Sequence, residues 1–484
     1  MRQPLAKWLP DLPGLAGPGS NNDAQNVIPD NNGYRPFLAL SNISTTALSE
    51  QALGAFTAQD FAGVATTFAG SASKLYLLSS GVFSDVSKMG GYSASATEPW
   101  EFAQFGEVVL ATEISDALQQ YTLNSSSVFA NVAGSPPQAR HIGVVRDFVV
   151  LGNTATSNRQ VVWGGFNTTT QWTAGQNQSD AQTLPDGGGI QRIIGGEYGL
   201  IFQDRAIVRM TYVGPPLIFR FDTIEQRRGL GAAHAIAKFG NNVFFWDATG
   251  FFVTDGSASQ SIGNLKCDHW FRDNLNPNTL SSISTATDPL NNVIMVNFVS
   301  GNAANPAIPD TQLIYNYLTG DFSYAKNNVE YLFHALSSGV TLEQLGSIYP
   351  VIENVPASFD SPIWAGGNQF LGAFGTDHNL GSFTGATLAA TMTLSDFEGV
   401  DGRRSMITNA RPDTDTSSAT VTILSRERAA DATVSTAMAS MQSNGDCPVM
   451  SSGRVHQATL NIPAGSSWTY ANYLDIDAVD DGEI

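Results

Sequence analysis

VFFWDATGFFVTD, residues 243–255, decides how this chain is read. Aromatic and β-branched residues flank a short polar turn at 247–250, the composition of a half-buried β-hairpin. Asp, Asn, Thr and Gly dominate such turns because they tolerate positive φ or hydrogen-bond their own backbone. Six more passages repeat the phrase: LYLLSSGVFSDV, LQQYTLNSSSVFANV, VVWGGFNTTTQW, LIFQDRAIVRM, LIYNYLTGDFSYA and FLGAFGTDHNLGSF. The seven turns fall near Gly81, Ser125, Thr168, Arg205, Gly250, Gly320 and His378, at spacings of 44, 43, 37, 45, 70 and 58 residues. The first four spacings suit a blade of four short strands, since propeller repeats run at roughly 40 to 50 residues. The last two suit a blade plus an insertion. The fold expected is all-β: a β-propeller of six or seven blades.

Working outward, three regions emerge. Residues 1–48 are rich in Pro, Gly and Asn and read as an extended N-terminal arm packed against something rather than folded alone. Residues 49–398 hold the hairpins, with insertions expected near 264–280 and 325–362. One insertion includes the best helical stretch, NLKCDHWFRDNL at 264–275, whose Leu265, Trp270, Phe271 and Leu275 form an apolar stripe. From EGVDGRR at 398–404 onward, alternating runs around Val421, Val434 and Leu460 indicate a small appended β-sandwich-like domain at 399–484. Its last ten residues, DIDAVDDGEI, carry five acidic side chains and no basic one.

Composition bounds the function. A chain of 484 residues with 46 Gly, 22 Pro and 14% charged residues fits a large turn-rich β architecture. Its formal charge of −19 excludes a general nucleic-acid binder that gains affinity by neutralising phosphates. The same charge suits a wall along which DNA slides without being held. Cys267 and Cys447 form no CxxC pair, which favours two packed thiols over a zinc site or a disulfide scaffold. Pro4, Pro10, Pro13 and Pro18 break any apolar leader segment, so no signal peptide is expected. No run reaches the ~20 apolar residues of a membrane span. The NxS/T triplets at Asn42, Asn124, Asn167 and Asn177 read as ordinary turns.

Motifs that carry chemistry are absent. There is no GxxxxGK[ST], no GxSxG and no HExxH, and GLGAAH at Gly229 lacks the third glycine of a dinucleotide site. Asp475, Asp477, Asp480 and Asp481 resemble a calcium loop but lack a spaced bidentate Glu, so a solvated acidic tail is expected. Asp396, Glu398 and Asp401 could serve as a glycosidase pair, yet they fall where the propeller hands over to the next domain and read as a solvated linker. His141, His234, His269, His334, His378 and His456 are scattered without metal spacing and read as turn or interface residues. Trp8, Tyr34, Trp100, Trp270 and Trp468 read as core or interface aromatics. No enzyme activity, cofactor or metal is expected.

Several stretches together carry a family resemblance: NVIPDNNGYRPF (26–37), NNVFFWDATGFFVTDG with SIGNLKCDHWF (241–271), ATDPLNNVIMVNF with LIYNYLTGDFSYA, LEQLGSIY (342–349), FDSPIWAGGNQFLGAFGTDHNLGSFTG (359–385) and GRVHQATLNIPAGSSWTYANYLDIDAVDDGE (453–483). The order of segments resembles the tail hub or nozzle proteins of short-tailed bacteriophages, the packaged-DNA stabilisation type. The resemblance is strongest from Gly229 to the end and weak over 56–189. It implies a structural virion protein of the tail, made in the host bacterial cytoplasm without a membrane anchor. It further implies a homo-oligomeric ring, a hexamer, below the portal and a head-to-tail adaptor protein. That ring would carry tail fibre or spike proteins, retain packaged DNA, and conduct the double strand at ejection without binding it tightly. Contacts with neighbouring subunits or partners are expected at Trp8, Tyr34, Arg35, Trp270, Phe271, Arg454 and His456. The sequence departs from the family where Val455 and His456 follow Gly453 and Arg454 in place of a more basic stretch. Two other readings stay open: a glycan-binding or glycan-cleaving propeller acting as a receptor-binding tail protein, and a scaffold propeller of a bacterial complex.

Overall fold

The computed structural model describes residues 1–5, 7–12, 20–95, 97–337, 345–346, 349, 351–355, 358–359, 367–400, 402–431 and 435–482. Asp401, much of the 325–362 insertion, most of LEQLGSIY, the SPIWAG stretch, Val434 and the last two acidic-tail positions lie outside the described residues. The chain forms a seven-bladed β-propeller with a β-sandwich welded to its side. Inner strands begin at Gly54, Glu101, Ala139, Ile190, Ile236, Ser284 and Val329, between 38 and 51 residues apart. Six blades are continuous four-stranded antiparallel meanders. Blade 7 draws Val329–Leu336, Gln369–Gly375 and Leu380–Ser382 from the C-terminal side and its outer strand, Ser41–Asn42, from the arm. The inner strand of blade 7 lies against that of blade 1, so the ring closes.

Blade starts are regular where hairpin turns were not, and phase is the reason. LYLLSSGVFSDV and LIYNYLTGDFSYA are strands three and four of blades 1 and 6, whereas the 243–255 hairpin and FLGAFGTDHNLGSF are strands two and three of blades 5 and 7. The 70- and 58-residue spacings therefore compare different turns within a blade, although blade 7 does carry a long connection between Leu336 and Gln369, in the region where an insertion was expected. In VVWGGFNTTTQW only the first run is a strand, because the partner Asp180–Thr183 arrives seventeen residues after Trp163.

The arm is built into sheets rather than merely laid on them. Ser20–Gln25 joins the outer strand of blade 6, Phe322–Lys326, to Ala390–Leu394, Val455–Ile462, Thr420–Arg426 and Ser435–Ser440, giving one ten-stranded sheet. Arg2–Pro4, Val27–Asp30 and Gly33–Pro36 join the facing sheet of Cys447–Gly453, Ser405–Thr414 and Ala471–Asp480. Strand Ala390–Leu394 thus belongs to the sandwich although it precedes residue 399. Thr420–Arg426 alternates half-exposed and buried residues, as a strand with one wet face must, while Val293–Phe298 of blade 6 is buried at every position between blades 5 and 7.

The helix is shorter than its apolar stripe suggested. It spans Asp268–Asn274, because Leu265 sits at φ +60° and is exposed. Cys267 offers no side-chain cap. Asp11 of the arm supplies one instead, its carboxylate accepting the N–H groups of His269 at 2.7 Å and Trp270 at 2.8 Å.

Candidate functional site

Near the starts of the inner strands of four neighbouring blades, four charged or titratable side chains meet across the centre of the ring. Glu101 opens the inner strand of blade 2, His141 and Arg192 are third in those of blades 3 and 4, and His234 precedes that of blade 5. Glu101 is 1% exposed at its side chain and pairs with Arg192 and, at 2.7 Å, with His141 Nδ1. Its second oxygen accepts the Ile142 N–H at 3.2 Å. His234 Nδ1 faces an Arg192 amino group at 3.1 Å, and since a guanidinium only donates, the imidazole accepts there. His234 Nε2 then carries the proton and faces Glu101 at 3.9 Å.

Burial and charge set the ionisation of this group. Burial alone would raise the Glu101 carboxyl, but Arg192, with His141 and His234, outweighs it and holds the acid at about 2. Burial, helped by Arg192, pushes His234 down to about 3, so it stays neutral. Tyr331, in the inner strand of blade 7, is pushed up to about 12 by burial and keeps its proton. The group thus holds the Glu101–Arg192 ion pair, with His234 and Tyr331 neutral beside it.

Above this plug, on the face where inner strands begin, lies a cavity of about 280 Å³. Its wall includes Glu98, Glu113, Arg140, Asn153 and Gln191 with the imidazoles of His141 and His234, and among the described residues it has no Phe, Tyr or Trp. Glu98 pairs with Arg140 at 2.5 Å. Glu113 is buried; one oxygen accepts the Ser115 N–H at 2.7 Å and the other, Oε1, has no partner. Burial lifts its carboxyl above the ordinary range, and Asp116 adds to the lift.

Sequence reasoning missed this cluster. The signal was faint: 101, 141, 192 and 234 recur near the blade spacing, but at differing offsets, within two residues of an inner-strand start.

The residues expected at subunit contacts lie mostly inside the chain. Trp8, Tyr34, Phe271 and His456 are at most 1% exposed and have no surface left for a neighbour, which corrects that expectation. Trp8 meets Trp270 edge-on at 4.7 Å and Tyr324 at 5.3 Å. Phe271 packs on Phe251 and Phe298, each at 4.8 Å. Tyr34 accepts from Asn21 at 3.3 Å. His456 lies between the sandwich sheets, bonded to Ser405 at 2.9 Å and Ser425 at 2.7 Å, and burial holds its imidazole below the ordinary range. Half-buried Arg35 donates to the Asn291 carbonyl at 2.8 Å. Arg454 is exposed beside Glu427 at 3.7 Å, and Trp270 keeps a partly open face.

Two acidic stretches also differ from expectation. The tail is not solvated coil: Ala471–Asp480 is a strand, Asp475 pairs with Arg2 at 3.3 Å, Asp480 with Arg403 at 3.0 Å and Asp481 with Arg404 at 3.2 Å. Alternation along the strand buries Leu474 and Ile476 and puts Asp475 and Asp477 on the other face, while Asp480 and Asp481 are engaged by arginines, so the four acids do not converge on one point. Asp396 is buried and paired with Arg426 rather than lying in a solvated linker.

No protein-family profile and no curated protein sequence matches the chain. Among solved structures it is similar to BamB from Moraxella catarrhalis, at 12% identity and a TM-score of 0.37 over 74% of this chain and 92% of that one. It is also similar to the Neurospora crassa Pan2 WD40 domain, at 8% identity and a TM-score of 0.37 over 71% of this chain and 95% of that one.

Proposed function

We propose that this chain is a structural subunit of a short-tailed bacteriophage tail, forming a ring-shaped hub or nozzle that retains packaged DNA and conducts it at ejection. One observation carries the reading. Sequence stretches that resemble that family, far apart in the chain, converge on one buried core containing Trp8, Val27, Phe251, Phe271, Tyr324 and Ile476. They encode a weld between arm, blades 5 and 6, and sandwich, which is an architecture rather than a catalytic centre.

The weld suits a part held under pressure. The outer edge of blade 6 is covered by the sandwich and that of blade 7 is supplied by the arm, so neither offers a free edge for stray pairing. The Glu101 group spans the centre of the propeller, so the route for DNA runs between copies in a ring and not through one propeller. A net charge of −19 leaves an inner wall that repels phosphate, and DNA is then confined by steric closure and not by binding. In this reading six copies sit below an adaptor and carry fibres or spikes. The alternative, a glycan-binding propeller, calls for stacking aromatics at the cleft, and the axial cavity has no Trp, Tyr or Phe among its described lining residues.

The test is to purify the particles made from the genome that encodes this chain and image them by electron microscopy with antibody against it. Label on the tail axis, with sixfold density in the reconstruction, is the expected result. Particles that lack the chain, or carry it only at fibre tips, would overturn the proposal.

A further inference from the structure

The axial cavity has a chemistry that the tail-hub reading does not use and does not depend on. Of the three carboxylates around it, Glu98 is neutralised by Arg140 and Glu101 by Arg192. Glu113 alone has no cation. Its Oε1 is buried without a hydrogen-bond partner, a condition that is costly for a neutral group and more so for a charged one. His141 spends Nδ1 on Glu101, which leaves Nε2 as its remaining polar atom. The cavity therefore holds one acid without a cation, with Pro99, Ile114, Ala232 and Leu280 as apolar wall.

We propose that this cavity binds a primary ammonium ion on a short alkyl chain, with the Glu113 carboxylate, part of its wall, as its anionic partner. A single ammonium supplies the missing positive charge and three donors, while a chain of a few methylenes lies on the apolar wall. An anion would face the one acid without a cation, Glu113. A neutral polyol would leave the Glu113 charge unmatched and find no Trp, Tyr or Phe among the described lining residues. A volume of about 280 Å³ admits one such chain end and excludes a folded partner surface.

The measurement is isothermal titration calorimetry of the full chain at pH 7.5 with n-butylamine and with putrescine, using glycerol and potassium chloride as controls. Saturable 1:1 binding of the amines, with no heat from the controls, is expected. Glu113→Gln keeps the shape but removes the charge and should weaken binding about tenfold or more. Ala233→Leu, which fills the cavity from its backbone wall, should weaken it while leaving Glu113 in place. Circular dichroism and the melting temperature of both variants show whether they are folded, so lost binding in a folded variant supports the site. Absence of saturable heat in the wild type, unchanged affinity in Glu113→Gln, or equal binding of glycerol would each overturn the proposal.

Discussion

Replacing Arg192 by methionine removes the main cation facing a carboxylate that has no access to water. Glu101 titrates at about 2 in the folded chain against an ordinary 4.5, and each unit is worth about 1.4 kcal/mol, so its ionised form gains about 3 kcal/mol from its surroundings. Without Arg192 the acid keeps only His141, the more distant His234 and the Ile142 N–H, while burial still disfavours its charge. The expected loss of stability at pH 7 is about 3–5 kcal/mol, the cost of orphaning one member of a buried pair. The pH dependence gives a sharper signature. In the wild type the depressed carboxyl contributes stability above pH 4.5 that disappears as pH falls toward 2. In Arg192→Met burial wins, the folded value lies above the unfolded one, and stability is recovered as pH falls through it. His234 works in the same direction: its low folded value costs the wild type stability below pH 6.5, and removing Arg192 relieves part of that. Guanidinium unfolding at pH 7 and pH 5, followed by circular dichroism, should show the gap between variant and wild type narrowing at pH 5. Glu101→Gln combined with Arg192→Met should restore most of the loss, because no charge is then left buried. A loss under about 1 kcal/mol at pH 7, a gap that does not narrow, or a double variant as unstable as the single would refute the account of the plug.

Trp8→Ala empties the junction between arm, helix and blade 6, and a fully buried tryptophan there should cost about 3–5 kcal/mol in chemical unfolding. Gly263→Ala would place a Cβ at 1.9 Å from Asp268 Oδ1, which is fixed by the Phe251 N–H at 3.0 Å; a loss of about 1–3 kcal/mol is expected, measured by thermal melt. Both thiols are buried and hold their protons, that of Cys447 up to about 11 and that of Cys267 well above its ordinary value. Ellman's reagent at pH 8 should therefore find almost no reactive thiol in the native chain and two per chain in guanidinium.

Much of the fold was legible because hairpins announce themselves locally. The 243–255 run becomes strands Asn242–Asp247 and Gly250–Thr254 with the turn where the residues put it. Phase within the blade was not legible, since strands two and three and strands three and four use the same turn chemistry; the blade count stayed open for that reason. Velcro closure escaped for a different one. Ser41–Asn42 is two residues long and pairs with Gly381 and Ser382 across more than three hundred positions, so no local pattern marks it. Trp8 and Phe271 were singled out correctly as large rings that need a partner, but burial inside the chain and burial against a neighbour leave the same trace in a sequence. The axial group shows the converse. Glu101, His141, Arg192 and His234 look unrelated until the 38- to 51-residue spacing of inner strands sets each within two residues of a strand start.

Closure by the arm also ties the two ends of the chain to the same body. The N-terminal ammonium donates to the Ile476 carbonyl at 2.6 Å, and Arg2–Pro4 pairs along Ala471–Asp480, so these first and last strands lie in one sheet of the sandwich. From there the arm passes through both sandwich sheets before its residues 41–42 close blade 7. Opening the ring at blade 7 pulls on a strand whose upstream end is held by the sandwich. Peeling the sandwich from blade 6 pulls on Ser20–Gln25 of the same segment. Neither seam can part without straining the other. A propeller closed only by its own last strand would have a single weak blade; here the weak blade and the appended domain share one restraint. The arm's low local propensity for structure is consistent with this, because its strands gain their order from partners at both ends of the sequence and not from their own composition.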